Sequence, residues 1–398
     1  MTMQQMLRNT QSTTHHGEES PWEGLWNYER KTGGMTMKDL FEKTQIGSFS
    51  LTNRFVYSAT WDGRADNEGF CTQKNIDYLV ERVHGGAGLV ITGMAYVKRE
   101  GRAAPWQLAV CSDEYIDGLT QMASAVHDAG GKVVLQLAHG GCYAPSALTG
   151  HEEVGPSAND TDKFPRCREM SLQEIDEVVQ AFGKAAGRAQ KAGFDGVQLH
   201  AAHGYLLSQF LSPFFNKRTD NYGGSIENRA RILLEAFQAV RNEVGEQFPV
   251  FVKINSEDFV EGGLTADEML QVCAMLEKAG VDAIEMSGGT VYASGAFSCC
   301  RVGQDQDVYY IEAAGRYKER IGVPLLLVGG IRSPEQTEAI FRARLADYVS
   351  ICRPLIREPD LIKRWKSGDT KPAACLSCSG CFGPGLKGEG VHCVFERQ

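Results

Sequence analysis

Residues 172–200 read LQEIDEVVQAFGKAAGRAQKAGFDGVQLH. The first part, 172–192, carries an amphipathic helical period, and GVQLH at 196–200 is a short apolar run of strand type. Ala192-Gly193 stands between them, and a glycine there ends a helix by taking the left-handed conformation. A helix that stops on Ala-Gly, followed at once by a buried strand, is one unit of an alternating α/β chain.

Outward from this unit the pattern repeats. Strand-type runs are FVYSA (55–59), LVITG (89–93), KVVLQLA (132–138), VFVKI (250–254), AIEMS (283–287), LLLVG (325–329) and YVSIC (348–352). Helical patterns lie between and after them, at 73–83, 113–129, 228–244, 266–279, 308–320, 334–343 and 359–365. Ala129-Gly130 and Ala279-Gly280 repeat the stop signal. Eight strand–helix units close a parallel (β/α)8 TIM barrel, and the near-continuous apolar strands suit a sheet covered on both faces. A doubly wound sheet also alternates, but a dinucleotide-binding one opens with G-x-G-x-x-G after its first strand. The first strand here runs into TWDGRAD, and Gly85-Gly86-Ala87-Gly88 precedes a strand instead of following one.

The expected organisation is an N-terminal extension (1–34), a barrel (35–368) and a cysteine-rich tail (369–398). The extension lacks amphipathic period and reads as a mobile arm, with His15-His16 a polar pair and Trp22, Trp26 and Tyr28 able to clip it down. Met35 and Met37 are alternative starts. The net charge of −9, without a Lys/Arg-rich block, argues against nucleic acid or an anionic membrane as partner. No run approaches the ~18 apolar residues of a spanning helix. Twelve cysteines in a chain of 398 residues without a signal sequence point to a reducing cytoplasm.

Barrel chemistry sits at the strand C-termini. Those ends carry Ser58, Ala59, Thr60 and Trp61; Gly93; Gln136 and His139; His200 and His203; Lys253 and Asn255; Ser287, Gly288 and Gly289; Gly329 and Gly330; and Cys352 and Arg353. The last two loops suggest a phosphate site. Gly329-Gly330 lets backbone amides approach, Ser333-Pro334 starts a helix, and Arg353 supplies a cationic fork. A plain turn with a surface arginine is the other reading. His200-Ala-Ala-His203-Gly-Tyr205 places two imidazoles able to donate to one substrate oxygen and a phenol able to deliver a proton. A metal pair or two core histidines are the alternatives, although LLSQFLSPFF supplies no further ligand.

Residues 200–231, HAAHGYLLSQFLSPFFNKRTDNYGGSIENRAR, closely resemble the signature of the Old Yellow Enzyme family of FMN-dependent ene-reductases. Asn53-Arg54-Phe55-Val56, LQLAHGG (135–141), GPSA (155–158), VGGI (328–331) and RPLIREPDL (353–361) match as well. The branch it resembles includes bacterial 2,4-dienoyl-CoA reductase and trimethylamine dehydrogenase. The resemblance implies FMN at the barrel mouth. Ser58, Ala59 and Thr60 would line the isoalloxazine, Gly93 would flank it, and Gln136 would bond its pyrimidine edge. Lys253, where the family usually has Arg, would stand beside N1. Gly329, Gly330, Cys352 and Arg353 would hold the phosphate. His200 and His203 would grip the activating carbonyl, and Tyr205 would protonate the α-carbon. A phenol near its ordinary pKa of ~10 is protonated at pH 7. Trp61 departs from the small residue or His usual near N5; it can narrow the pocket, stack on substrate or turn outward.

The tail reads Cys375-x2-Cys378-x2-Cys381-x11-Cys393. The short spacings resemble a ferredoxin-type 4Fe-4S ligand set, with a four-thiolate zinc site as the alternative. The dienoyl-CoA reductase branch has three residues between its second and third cysteines, against two here. The larger relatives continue into nicotinamide-binding domains. For this chain the expected reductant is NAD(P)H over the FMN, or a separate flavoprotein or ferredoxin-like donor reaching the cluster. The expected activity is reduction of an activated C=C bond in an enone, enoate or enoyl thioester. Amine demethylation is the oxidative alternative, with Trp61, Tyr96 and Trp106 as a cage for the cation. A non-catalytic electron-transfer subunit, which would lack the His pair and Tyr205, is the other. A homo-oligomer stays open.

Overall fold

The computed structural model describes residues 36–161, 164–290 and 308–395. The expected extension, with His15, His16, Trp22, Trp26 and Tyr28, lies outside the described residues, as does Met35.

Eight strands form the barrel: β1 (Phe55–Tyr57), β2 (Leu89–Ile91), β3 (Val133–Ala138), β4 (Gly196–Ala201), β5 (Val250–Asn255), β6 (Ala283–Ser287), β7 (Leu325–Val328) and β8 (Tyr348–Ile351). All neighbours are parallel, β8 pairs with β1, and β2 pairs with β3, so the sheet closes. Eight helices surround it: α1 (Gln73–His84), α2 (Ile116–Asp128), α3 (Leu172–Lys191), α4 (Ile226–Val244), α5 (Ala266–Lys278), α6 (Ile311–Lys318), α7 (Pro334–Arg342) and α8 (Leu361–Lys366). The (β/α)8 expectation is borne out. Gly130, Gly193 and Gly280 follow α2, α3 and α5 with φ of 85°, 83° and 85°, the left-handed stop that Ala-Gly signals. Ser333 caps α7 by accepting from the Gln336 amide, with Pro334 in the first turn.

Successive strand residues face opposite sides, and the sorting is visible residue by residue. In β3, Val133, Leu135 and Leu137 face outward into the main core against the helices, while Val134 joins the inner core of the barrel. In β5, Val250, Val252 and Ile254 face outward and Phe251 inward. The inner core also holds Val56, Leu89, Ile91, Ala283, Leu326 and Tyr348. Ile46 and Leu51, from an antiparallel hairpin before β1, complete it. The apolar plug fills the N-terminal half of the barrel. Two residues beyond the inner-core positions of β1, β3, β5, β6 and β8, the inward side chains turn polar: Ser58, Gln136, Lys253, Glu285 and Ser350, all buried.

The tail folds back on the mouth. The Val391 amide donates to the Asp62 carbonyl over 2.8 Å, and Ala373 donates to the Arg332 carbonyl over 2.7 Å. Cys381 and Val391 pack with Ile356, Trp61, Cys352 and Phe382 in a small separate apolar cluster. Among the described residues no helix is long and apolar enough to cross a membrane.

Candidate active site

A cavity of about 350 Å³ opens at the C-terminal ends of the strands. It is lined by Ser58, Ala59, Thr60, Gln136, His200, His203, Tyr205, Lys253, Gly329, Gly330, Cys352 and Arg353. Twelve residues expected from six different strand ends and loops thus meet in one space. Gly93 does not line it. A side chain there would meet the Thr60 carbonyl oxygen at 2.7 Å, so Gly93 lets β1 and β2 close up behind the wall, and Met94 reaches the cavity instead.

Register explains the floor. His200 pairs with Lys253, and Lys253 with Glu285, so β4, β5 and β6 present three side chains at one level. One level below, Gln136 pairs with Gln198. The Lys253 ammonium lies 3.1 Å from the Glu285 carboxylate and donates to Ser58 Oγ over 2.9 Å. Ser58 donates to Glu285 over 2.7 Å, Gln198 to Glu285 over 3.1 Å, and Gln136 to Gln198 over 2.8 Å. Both members of the ion pair are almost wholly buried, at 3 % and 0 % exposure. Taking one charge from such a pair costs roughly 3–5 kcal/mol, because its partner is left unpaired out of water.

Another side of the cavity is built by the turn after β4. His203 and Gly204 take φ of 63° and 79°, which reverses the chain at once. The His203 amide donates to Asn255 Oδ1 over 3.0 Å, and its Nε2 lies 2.7 Å from Ser287 Oγ. The His200 ring packs edge-on against His203 and Tyr205, with centroids 5.2 and 4.9 Å away. Burial holds the His200 imidazole well below its usual pKa, with neighbouring His203 and Lys253 adding to the effect. Burial, then Lys253, pushes His203 down to about 3. Both rings are therefore neutral at pH 7, and each carries one N–H to donate.

At the far end, Gly329 and Gly330 have φ of 103° and 76°. A Cβ at Gly329 would meet the Tyr310 and Tyr309 rings at 2.8 and 3.0 Å, so the backbone there approaches the cavity closely. Arg353 donates to the Ser377 carbonyl (3.1 Å), Ser379 Oγ (3.0 Å) and the Tyr309 hydroxyl (3.3 Å). Thr60 Oγ1 and Cys352 Sγ are 2.9 Å apart. Trp61 lines the cavity, with its Nε1–H donating to the Pro105 carbonyl over 3.0 Å and its ring against the tail. It narrows the pocket; it does not turn outward. Of the three aromatics suggested as a cation cage, only Trp61 lines the cavity. Tyr96 is buried, with its hydroxyl on the Glu68 carbonyl.

Sequence reading passed over several lining residues: Tyr143, Tyr309, Tyr310 and Arg332 from loops, and Phe382 and Leu386 from the tail. It also passed over Glu285 and Gln198, which stand behind the lining. A carboxylate inside the apolar run AIEMS, at an inward-facing position, was the available signal for Glu285.

The four tail cysteines line a second, small hollow with Arg353, Arg357, Ser379 and Phe395. Ser377 and Ser379 take φ of 54° and 58°, curling the loop around it. The Gly380 amide and Arg357 Nη1 donate to Cys378 Sγ and Cys393 Sγ, each over 3.4 Å. None of the four is joined in a disulfide among the described residues. Among the described residues no three His, Cys, Asp or Glu are arranged to hold a single metal ion.

The profile of the NADH:flavin oxidoreductase / NADH oxidase family matches residues 39–371. The chain belongs to this family of FMN oxidoreductases. The likeness to the Old Yellow Enzyme family read from residues 200–231 is thereby borne out. An NADH oxidase of Thermoanaerobacter brockii is 38% identical over 352 residues, covering 87% of this chain and 54% of the relative. A cinnamate reductase of Clostridium sporogenes is 33% identical over 373 residues, covering 87% and 56%. Among solved structures, a 2-naphthoyl-CoA reductase in complex with 2-naphthoyl-CoA superimposes with a TM-score of 0.84 at 30% identity, covering 90% of this chain and 57% of that one. The chain spans about half the length of these relatives.

Proposed function

We propose that the chain is an FMN-dependent ene-reductase that adds hydride and a proton across a C=C bond activated by a carbonyl. The observation that carries this reading is the meeting of His200, His203 and Tyr205 above the Lys253–Glu285 floor in one cavity. The residues present suit FMN. Gln136 and Lys253 offer polar groups to a pyrimidine edge, and Gly329, Gly330 and Arg353 offer a glycine-opened backbone and a cation to a phosphate. When bound, FMN supplies the hydride at N5.

His200 and His203 orient the acceptor by donating to its carbonyl oxygen, and they stabilise the negative charge that develops there. Tyr205 delivers the proton to the α-carbon. Trp61, Tyr143, Phe382 and Leu386 add large, mostly apolar side chains to the cavity lining, which suits an aromatic enoate or thioester. The names of the cinnamate and 2-naphthoyl-CoA reductases support that class.

The tail (369–398) holds an iron–sulfur cluster through Cys375, Cys378, Cys381 and Cys393. A ring of thiols around a shared hollow, with N–H donors to two of the sulfurs, supports a cluster over a single zinc ion. Its partner is a reductant, either NAD(P)H at the flavin or a protein carrier at the cluster. The cysteine content suits a reducing compartment, the cytoplasm.

The test is anaerobic purification with spectra and iron, sulfide and zinc analysis, then turnover with enones, aryl enoates, enoyl thioesters and methylamines. C=C reduction supports the reading, and turnover of amines alone refutes it. In stopped-flow, rapid saturable bleaching of the flavin by NADH alone would rule out an obligatory protein donor.

A further inference from the structure

Glu285 is fully buried in the middle of β6 and does not line the cavity. Nonetheless three strands aim donors at it. Ser58, after β1, reaches one oxygen, while Gln198 on β4 and Lys253 on β5 reach the other. Lys253 also donates to Ser58, so ammonium, hydroxyl and carboxylate close a ring. Lys253 and Ser58 face the cavity, and Glu285 stands directly behind them. The cation offered to a ligand is therefore one end of an ion pair.

We propose that Glu285 is a positioning residue of the flavin site: it fixes the Lys253 ammonium at the cavity floor and offsets part of its charge, so that bound FMN keeps a lower reduction potential than an unpaired lysine would set. The proposal rests on the FMN reading above. A lone cation beside the pyrimidine edge stabilises a flavin that has gained negative charge more than one that has not. A carboxylate 3.1 Å from the ammonium turns that monopole into a dipole, whose field falls off faster. A lower potential gives the bound flavin more driving force toward poor acceptors. Enoates and aromatic thioesters are harder to reduce than simple enones, so the pair suits the substrate class proposed above.

If Glu285 serves only to neutralise a buried lysine, its removal changes stability and leaves the flavin's electronics alone. The discriminating readouts are the midpoint potential of FMN-loaded protein and its affinity for sulfite, which rises with positive charge near the pyrimidine ring. Glu285→Gln is expected to raise the potential and tighten sulfite binding at least tenfold, with FMN still bound one per chain. Glu285→Asp keeps the charge but withdraws it by one methylene, and is expected to move both readings the same way by less. A Glu285→Gln protein that holds FMN and matches the wild type in both readings overturns the proposal. Should that variant fail to fold, an Asp variant indistinguishable from wild type overturns it equally. Wild-type protein unable to take up FMN would instead defeat the underlying reading.

Discussion

Tyr205 stands at the start of a short helix with its ring 4.9 Å from His200. If it is the proton donor, Tyr205→Phe should slow C=C reduction by about 10²–10⁴-fold, the usual worth of a positioned acid. Flavin reduction by NAD(P)H or dithionite should stay near the wild-type rate, because no proton from Tyr205 is needed there. Single-turnover kinetics of each half-reaction separate the two. The histidines make a pH prediction. With His203 depressed to about 3 and an unfolded imidazole near ~6.5, the unfolded chain binds more protons between those values. Their contribution to stability is full above pH ~6.5 and is lost as pH falls toward 3. Thermal midpoints should drop over that window, and His203→Asn should flatten the drop. The imidazoles, Tyr205 and Lys253 were legible because they end strand-type runs where barrels place chemistry. Glu285 was less so: a carboxylate inside an apolar run marks the position as unusual, but its partner is set by the register that places it opposite Lys253.

At the scale of elements, β3 and β5 show why the barrel could be read from short runs. Their outward residues meet helices and their inward residues meet the apolar plug, so nearly every position is apolar. Helix boundaries were less legible. The stretch 113–129 opens with a single 3-10 turn at Asp113–Tyr115 before α2, and 308–320 shortens to Ile311–Lys318, because a helical period does not mark where the first turn tightens. The loop after β7 was recognised by Gly329-Gly330, but Tyr309 and Tyr310, which cover it, were read as the first turn of the helix at 308–320 and stand just before its start. Gly329→Ala would place a methyl against both rings in a left-handed backbone. Strain of this kind costs roughly 1–3 kcal/mol, so FMN affinity should fall about tenfold or more, measured by fluorescence titration of protein stripped of flavin.

Across the whole molecule, the barrel mouth and the tail form one structure. Arg353 borders both the large cavity and the cysteine-lined hollow, and Trp61 packs on the tail while facing the cavity. The cysteine spacing made the tail visible in sequence, but its return over the barrel mouth was not, since Phe382 and Leu386 carry no motif. Cys375→Ser should abolish iron binding, read by metal analysis and loss of brown colour, and leave FMN bound. Stoichiometric zinc without sulfide in the wild type would contradict the cluster. The most direct test of the whole account is the flavin content of anaerobically purified protein, measured by its visible spectrum and by what denaturation releases. We predict one FMN per chain. Folded protein that is colourless, releases none and takes up none when FMN is added would contradict it.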